Sequence, residues 1–343
     1  MRLKIIGAVC LTVISLLLAI GIGTVNISPI DIFRILAHSI FNAHISEHIS
    51  AANISIIWNL RLPRALLAFF VGAALSVSGA VMQSVLRNPL ASSYTLGVAS
   101  GASLGASLVI FLGVTLPVLA IFTLPILGFG FGLATILFVI AISTRIDTRM
   151  ENNTIILMGM VFSLFVNAIT TLMFALFRES TQQMILWQMG SFARSPAISI
   201  SAWGMVGIIA PLSVLGIFFI YKYNREMDIM TFGEEQAQSI GVNTKIVKRL
   251  LMVLGAALTG ASIAFVGTIG FVDLVAPHVV RKLYGSGHRY VIPMSALIGG
   301  SFMVLADLVA RSVLGHAELP VGVITALIGA PFFAYIYFSR RNG

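Results

Sequence analysis

Runs of about twenty apolar residues recur along this chain, and nearly every charged side chain falls in the short gaps between them. A run of that length is what an α-helix needs to cross a hydrocarbon core about 30 Å thick. Inside lipid, only structures that satisfy their backbone N–H and C=O groups internally can span. The pattern therefore predicts an all-α, polytopic membrane protein. Hydrophobic residues make up 58% of the 343 positions and charged residues only 10%, whereas soluble domains carry about a quarter of their residues as charges. The net charge of +9 comes without a basic stripe and interleaved aromatics, so it does not indicate a nucleic-acid partner and reads instead as orientation information. The single cysteine, Cys10, allows neither an intrachain disulfide nor a cysteine-based metal cluster.

Arg2 and Lys4 precede the first apolar run, 5–25, which lacks an Ala-x-Ala cleavage site and is long enough to be retained as a span. Further spans are expected at 65–85, 94–112, 117–143, 154–177, 197–221, 290–312 and 320–338. The stretch 250–280 exceeds one crossing, and Gly267-Thr268-Ile269-Gly270 interrupts it, so it reads as a full span followed by a short one. Ten spans place 15 of the 21 Lys and Arg residues on the cytoplasmic side, while treating 250–280 as one span divides them 11 to 10. The positive-inside bias therefore selects about ten spans, both termini cytoplasmic, in one transmembrane domain over 1–343. Small residues every fourth position, Gly72, Ser76, Ala80 and Ser84, then Gly97, Gly101 and Gly105, provide faces for close helix packing. Gly72-Ala73-Ala74-Leu75-Ser76 is echoed by Gly255-Ala256-Ala257-Leu258-Thr259, as an inverted-topology repeat would require.

No Gly-x-x-x-x-Gly-Lys-Ser/Thr phosphate loop occurs, so ATP-driven work would need another chain to bind the nucleotide. The longest cytoplasmic connection, about 222–249, contains Phe232-Gly233-Glu234-Glu235-Gln236-Ala237-Gln238-Ser239-Ile240-Gly241. This segment reads as a short helix closed by a glycine cap, with Phe232, Ala237 and Ile240 as an apolar face for a partner or for the membrane surface. Arg61 and Arg64 flank Leu62-Pro63 at an expected helix start, and Asp307 stands one turn before Arg311. These arginines lie on the side that positive charge avoids. They can pair, contact headgroups or meet a partner. Asn88-Pro89-Leu90 reads as a turn. His278 reads most simply as a packing histidine, and His38 with His44-x-x-Glu47-His48 as a solvated loop rather than a metal site. No catalytic, metal or cofactor site is expected.

Several blocks together resemble the FecCD family, the permeases of ABC importers for iron siderophores, haem and vitamin B12. They are Arg61-Leu62-Pro63-Arg64, Val71-Gly72-Ala73-Ala74-Leu75, Ser78-Gly79-Ala80-Val81-Met82-Gln83, Arg87-Asn88-Pro89-Leu90-Ala91 and Leu96-Gly97-Val98. Trp187-Gln188-Met189-Gly190, Gly233-Glu234-Glu235, Pro277-His278-Val279-Val280-Arg281, Ala306-Asp307-Leu308-Val309-Ala310-Arg311, Glu318-Leu319-Pro320-Val321-Gly322-Val323 and Gly329-Ala330-Pro331 continue the series. The resemblance implies a permease of the vitamin-B12-importer type in a bacterial or archaeal cytoplasmic membrane. It also implies a second permease copy, cytoplasmic ATP-binding subunits and an extracytoplasmic substrate-binding protein.

By the same resemblance, Arg61, Arg64 and Arg311 dock that binding protein, and Phe232, Gly233, Glu234, Glu235, Ala237, Ile240 and Gly241 belong to the ATPase-coupling segment. Asn88 and Leu90, with Asn152 and Asn153, match a cytoplasmic gate. One departure is Gly285-Ser286-Gly287-His288-Arg289, where the family commonly carries an acid before the histidine. A proton-coupled secondary transporter, using His278, Asp273 or Asp307, is the main rival from another class.

Overall fold

Apolar runs become helices wherever they are long enough to satisfy their own backbone. A computed structural model describes residues 2–23, 25, 27–42, 49–147, 150–193, 200–314 and 317–339, and among these it is all-helical. α1 (Arg2–Gly21) is followed by the short α2 (Pro29–Phe41). α3 (Ala51–Ser55) runs through a π-helical turn, Ile56–Arg61, into α4 (Leu62–Val85). Then come α5 (Val98–Leu112), α6 (Thr123–Ile146), α7 (Asn152–Leu176), the short α8 (Thr181–Gln188) and α9 (Ala202–Lys222). Two small helices, α10 (Asn224–Met230) and α11 (Glu234–Ser239), precede α12 (Thr244–Val266), α13 (Val272–Tyr284), α14 (His288–Ser312) and α15 (Val321–Ser339). Seven of these elements, carrying α1, α4, α6, α7, α9, α12 and α14, are long and apolar enough to cross a membrane. With the shorter α5, α13 and α15 they make up the ten segments expected.

The stretch 250–280 divides where the glycines predict. α12 ends at Val266, and the non-helical residues 267–271 lead into α13. α13 has 13 residues, about 20 Å at 1.5 Å per residue, so it starts within the bundle. Its first turn meets α4 at Gly79, where an added Cβ would collide with the Asp273 carbonyl. α13 ends beside α1, where Lys4 donates to the Leu283 carbonyl at 2.7 Å and the Tyr284 hydroxyl donates to the Lys4 carbonyl at 2.8 Å. The start of α1 and the end of α13 therefore share one face, where Tyr335 of α15 and Arg281 line one open cavity.

Pro63 stands in the first turn of α4, as expected of a helix-start proline, but no cap precedes it. The Leu62 N–H reaches back to the Ile57 carbonyl in the π turn, and the chain enters α4 without a break. A π turn shifts the hydrogen-bond register at a residue that has no N–H to give.

α4 and α12 run antiparallel: Gly255 lies against Met82, and the Thr259 hydroxyl bonds that of Ser78 at 2.8 Å. α4 packs on α14 as α12 packs on α6; α5 packs on α6 as α13 does on α14; and α7 and α15 occupy matching positions. The five-residue echo thus marks two inverted four-helix units, α4–α7 and α12–α15. α4 is largely buried at their centre, while α1, α7 and α9 present exposed Leu, Ile and Phe to the periphery.

Because the α4–α13 crossing at Gly79 is backbone against backbone, Gly79→Ala is expected to lower stability by about 1–3 kcal/mol. Gly7→Ala, with open space around it, should have no such cost. Thermal unfolding of the two purified variants in detergent checks this.

Candidate functional sites at the two ends of the bundle

A helix ending within a membrane leaves its last carbonyls needing donors. At the outer end of α1 the donors are arginines. Arg61, only 7% exposed, donates to the carbonyls of Ile20 and Gly21 at 3.0 Å each and to that of Val25 at 2.6 Å. Arg311 donates to the carbonyl of Ala19. Both positive groups sit at the negative end of the helix dipole.

Arg64 lies alongside and grips Asp307 in a fork, Nε to Oδ2 at 3.0 Å and Nη2 to Oδ1 at 2.8 Å, while Nη1 donates to Glu318 at 2.9 Å. Asp307 pairs with Arg311 one turn away, as expected, at 3.8 Å, but its closer, forked partner is Arg64. Thus the structure brings the three arginines together and adds two acids. Arg61 is turned inward as a cap, which is at odds with its expected presentation to a partner.

At the opposite end, α4 finishes in a Schellman-type cap. The N–H groups of Arg87 and Asn88 return to the carbonyls of Ser84 and Gln83 at 3.2 and 3.1 Å, with Arg87 at φ 49°. Asn88 then accepts the Leu90 N–H on its side-chain oxygen at 2.9 Å. The expected turn is present, and it leaves the Leu90 side chain exposed.

α11 forms where predicted. Gly241, at φ 97°, occupies the left-handed cap position, and the Val242 N–H reaches the Ala237 carbonyl at 3.0 Å. The predicted apolar face divides, however: Phe232 and Ile240 are 78% and 69% exposed, whereas Ala237 is fully buried. Ala237 is corrected from a docking residue to an anchor, because its Cβ packs into the core beneath α11. Gly233 lies just before α11, with Glu234 and Glu235 in its first turn. Glu234 joins Asn152 through Lys248, while Asn153 is exposed.

Lys248 is the residue that sequence reasoning missed. Its side chain is buried, and its ammonium donates to the Met150 carbonyl at 2.6 Å, to Asn152 Oδ1 at 2.5 Å and to Glu234 Oε1 at 2.8 Å. One cation thus ties α11, the start of α7 and α12 together. A lysine at the edge of an apolar run was the only signal, and it read as orientation charge.

A second link crosses from α10 to α14. Asp228 accepts the His288 backbone N–H at 2.9 Å and faces its ring Nδ1 at 2.6 Å, while ring Nε2 meets the Ser84 hydroxyl at 2.6 Å. An acid on α10 thus stands against the histidine that opens α14. Arg281 continues the chain of contacts to Gln83 and Ser84. His278 lines the same inner cavity, and His38 lies on α2. His44, Glu47 and His48 fall outside the described residues. No trio of His, Cys, Asp or Glu converges as metal ligands among the described residues.

Comparison with known proteins agrees with this architecture. The FecCD transport family matches residues 11–339. The chain is 41% identical to the uncharacterised ABC transporter permease YvrB of Bacillus subtilis, over 96% of this chain and 92% of that one. It is 38% identical to the cobalamin import permease BtuC of Halobacterium salinarum, over 83% and 74% respectively. A solved inward-facing structure of a putative metal-chelate type ABC transporter superposes with a TM-score of 0.84 at 30% identity, covering 99% of this chain and all of the other.

Replacing Lys248 with Met keeps the apolar stem and removes the three bonds. The expected loss is about 1–3 kcal/mol of stability, with about tenfold or more faster amide exchange across 234–241 as α11 detaches. Thermal unfolding and hydrogen–deuterium exchange measure the two effects.

Proposed function

This chain belongs to the FecCD transport family, and from that premise we propose that it is the membrane permease of an importer carrying a metal chelate, whether an iron siderophore, haem or a cobalamin-like complex. Members of the family are permease subunits of ABC transporters and not enzymes. The proposal places this chain in a bacterial or archaeal cytoplasmic membrane, paired with a second permease copy. ATP hydrolysis in separate cytoplasmic subunits drives it, and an extracytoplasmic binding protein loads it.

The observation that supports this most directly is the inner surface of α11. Phe232 and Ile240 are large, apolar and exposed, and they flank a short helix held in place by buried Ala237 and by the Lys248 bond to Glu234. Exposed apolar side chains on a rigid mount suit a protein partner. Glu235, Gly233 and Gly241 complete the segment that the ATPase would grip. The adjacent turn at Asn88 and Leu90, with Asn152 and Asn153 at the start of α7, is proposed to narrow the inner end of the pathway. Through Lys248, movement of α11 reaches Asn152 directly.

At the outer end, Arg64 and Arg311 are proposed to meet acidic groups of the binding protein, with Arg61 holding α1 beneath them. Glu318, 45% exposed in its side chain, already occupies part of Arg64 and would compete with a partner carboxylate.

Reconstitution with the ATPase subunits and binding protein tests the proposal. Uptake of chelate is expected only with ATP, and Phe232→Asp with Ile240→Asp should abolish ATP-driven uptake while thermal stability is retained. Uptake by this chain alone under a proton gradient would instead identify a secondary transporter. For the outer face, Arg64→Gln is expected to weaken binding-protein affinity about tenfold and Glu318→Gln to strengthen it about threefold, both effects shrinking at high salt. Surface binding measurements at two salt concentrations decide this, and unchanged affinity in both variants would remove the docking role.

A further inference from the structure

On the inner face, the ends of α4, α13 and α15, the start of α14 and the connection between α10 and α11 surround an open cavity of about 880 Å³. That is within the size range of ligand pockets. Its charge is one-sided. Arg87, Arg281 and Lys282 line it against one carboxylate, Asp228, which is already engaged by the backbone N–H and ring of His288. None of the ion pairs among the described residues involves Arg87, Arg281 or Lys282.

Arg281 is held in position by the Gln83 side chain, the Ala80 carbonyl and the Ser84 hydroxyl, so its charge is aimed by the fold and is not a swinging surface group. The rest of the setting is amphipathic: Phe232 and Tyr335 line the cavity, and Leu283 is exposed next to Lys282. Converging cations with hydroxyl donors recognise phosphate oxygens. A basic pocket between spans at the cytoplasmic boundary, edged by an aromatic residue, stands at the level of lipid headgroups.

We propose that this cavity binds the phosphodiester headgroup of an anionic phospholipid of the inner leaflet. Three cations fit an anionic phosphodiester better than a zwitterionic headgroup, whose ammonium they would repel. Tyr335 and Leu283 accommodate the start of the acyl chains. Because Phe232 forms part of the wall, a bound headgroup would brace the α10–α11 segment. That consequence rests on the transport reading above, but the binding itself does not.

The full chain, purified in mild detergent and titrated with phosphatidylglycerol or phosphatidylcholine, is read by native mass spectrometry. Phosphatidylglycerol is expected to be retained about tenfold over phosphatidylcholine. The double variant Arg87→Asn, Lys282→Gln should lose that preference; Asn suits the left-handed backbone at position 87, and the melting temperature verifies folding. If the double variant melts early, Lys282→Gln alone is read, with about threefold loss expected. Lys245→Gln removes an exposed cation that does not line the cavity and should leave the preference intact. An unchanged preference in the cavity variants, or equal loss in the Lys245 control, overturns the site. Displacement of the lipid by excess inorganic phosphate would keep the phosphate chemistry but overturn the lipid as its source.

Discussion

A backbone group inside a membrane has no water to turn to, and each place where a helix stops within this bundle has to supply its own partner. The break between α12 and α13 shows how this is met. The Tyr94 hydroxyl donates to the Ile269 carbonyl at 2.6 Å and accepts the Ile269 N–H at 3.1 Å, so one side chain satisfies both groups of one residue. Thr268 donates to the carbonyl of Gln188. The Ser191 N–H reaches the Val266 carbonyl at 2.8 Å, and the Val321 N–H reaches that of Gly190 at 3.0 Å. The segment Trp187-Gln188-Met189-Gly190 is therefore a junction where the ends of α8 and α12 and the start of α15 close one another's hydrogen bonds.

The same requirement explains where the charges went. Arg61 and Arg311 cap α1, Lys248 takes the Met150 carbonyl, and Asp228 takes the first N–H of α14. Each of these ions does a neutral donor's or acceptor's work where regular helical hydrogen bonding stops. Lys248 is balanced by Glu234, and the three outer arginines share the carboxylates of Asp307 and Glu318. Capping in this protein therefore cross-links helices that are distant in sequence, and the ends of the bundle become rigid while its lipid-facing sides stay apolar.

How much was legible in the sequence follows from the range of the interaction. Spans, the interruption at Gly267, the Gly241 cap and the turn at Asn88 depend on neighbours within a few residues, and they appear where periodicity and turn chemistry put them. The roles of Arg61, Lys248 and Asp228 depend on partners 41, 98 and 60 positions away, which no local pattern encodes. Ala237 was misread for a related reason: on a helix of six residues, composition does not say which side faces the core. The continuous helix before Pro63 was not foreseen because a π turn leaves no mark in the periodicity of side chains.

The two ends also differ in what they permit. At the outer end the arginines are largely spent on carbonyls and on Asp307, so the cluster of three cations and two acids is nearly neutral and a partner must compete with Glu318 for Arg64. At the inner end, Lys248 holds α11 to Asn152, while His288 and Ser84 join α10 to the last turn of α4, which carries the Asn88 turn. A push on α10 and α11 thus has two hydrogen-bonded routes inward, one toward α7 and one toward α4, and both cross between helices through side chains whose geometry is fixed by burial. Rigid coupling of that kind moves helices as bodies, which suits a bundle whose central α4 packs backbone against backbone and has little room to deform.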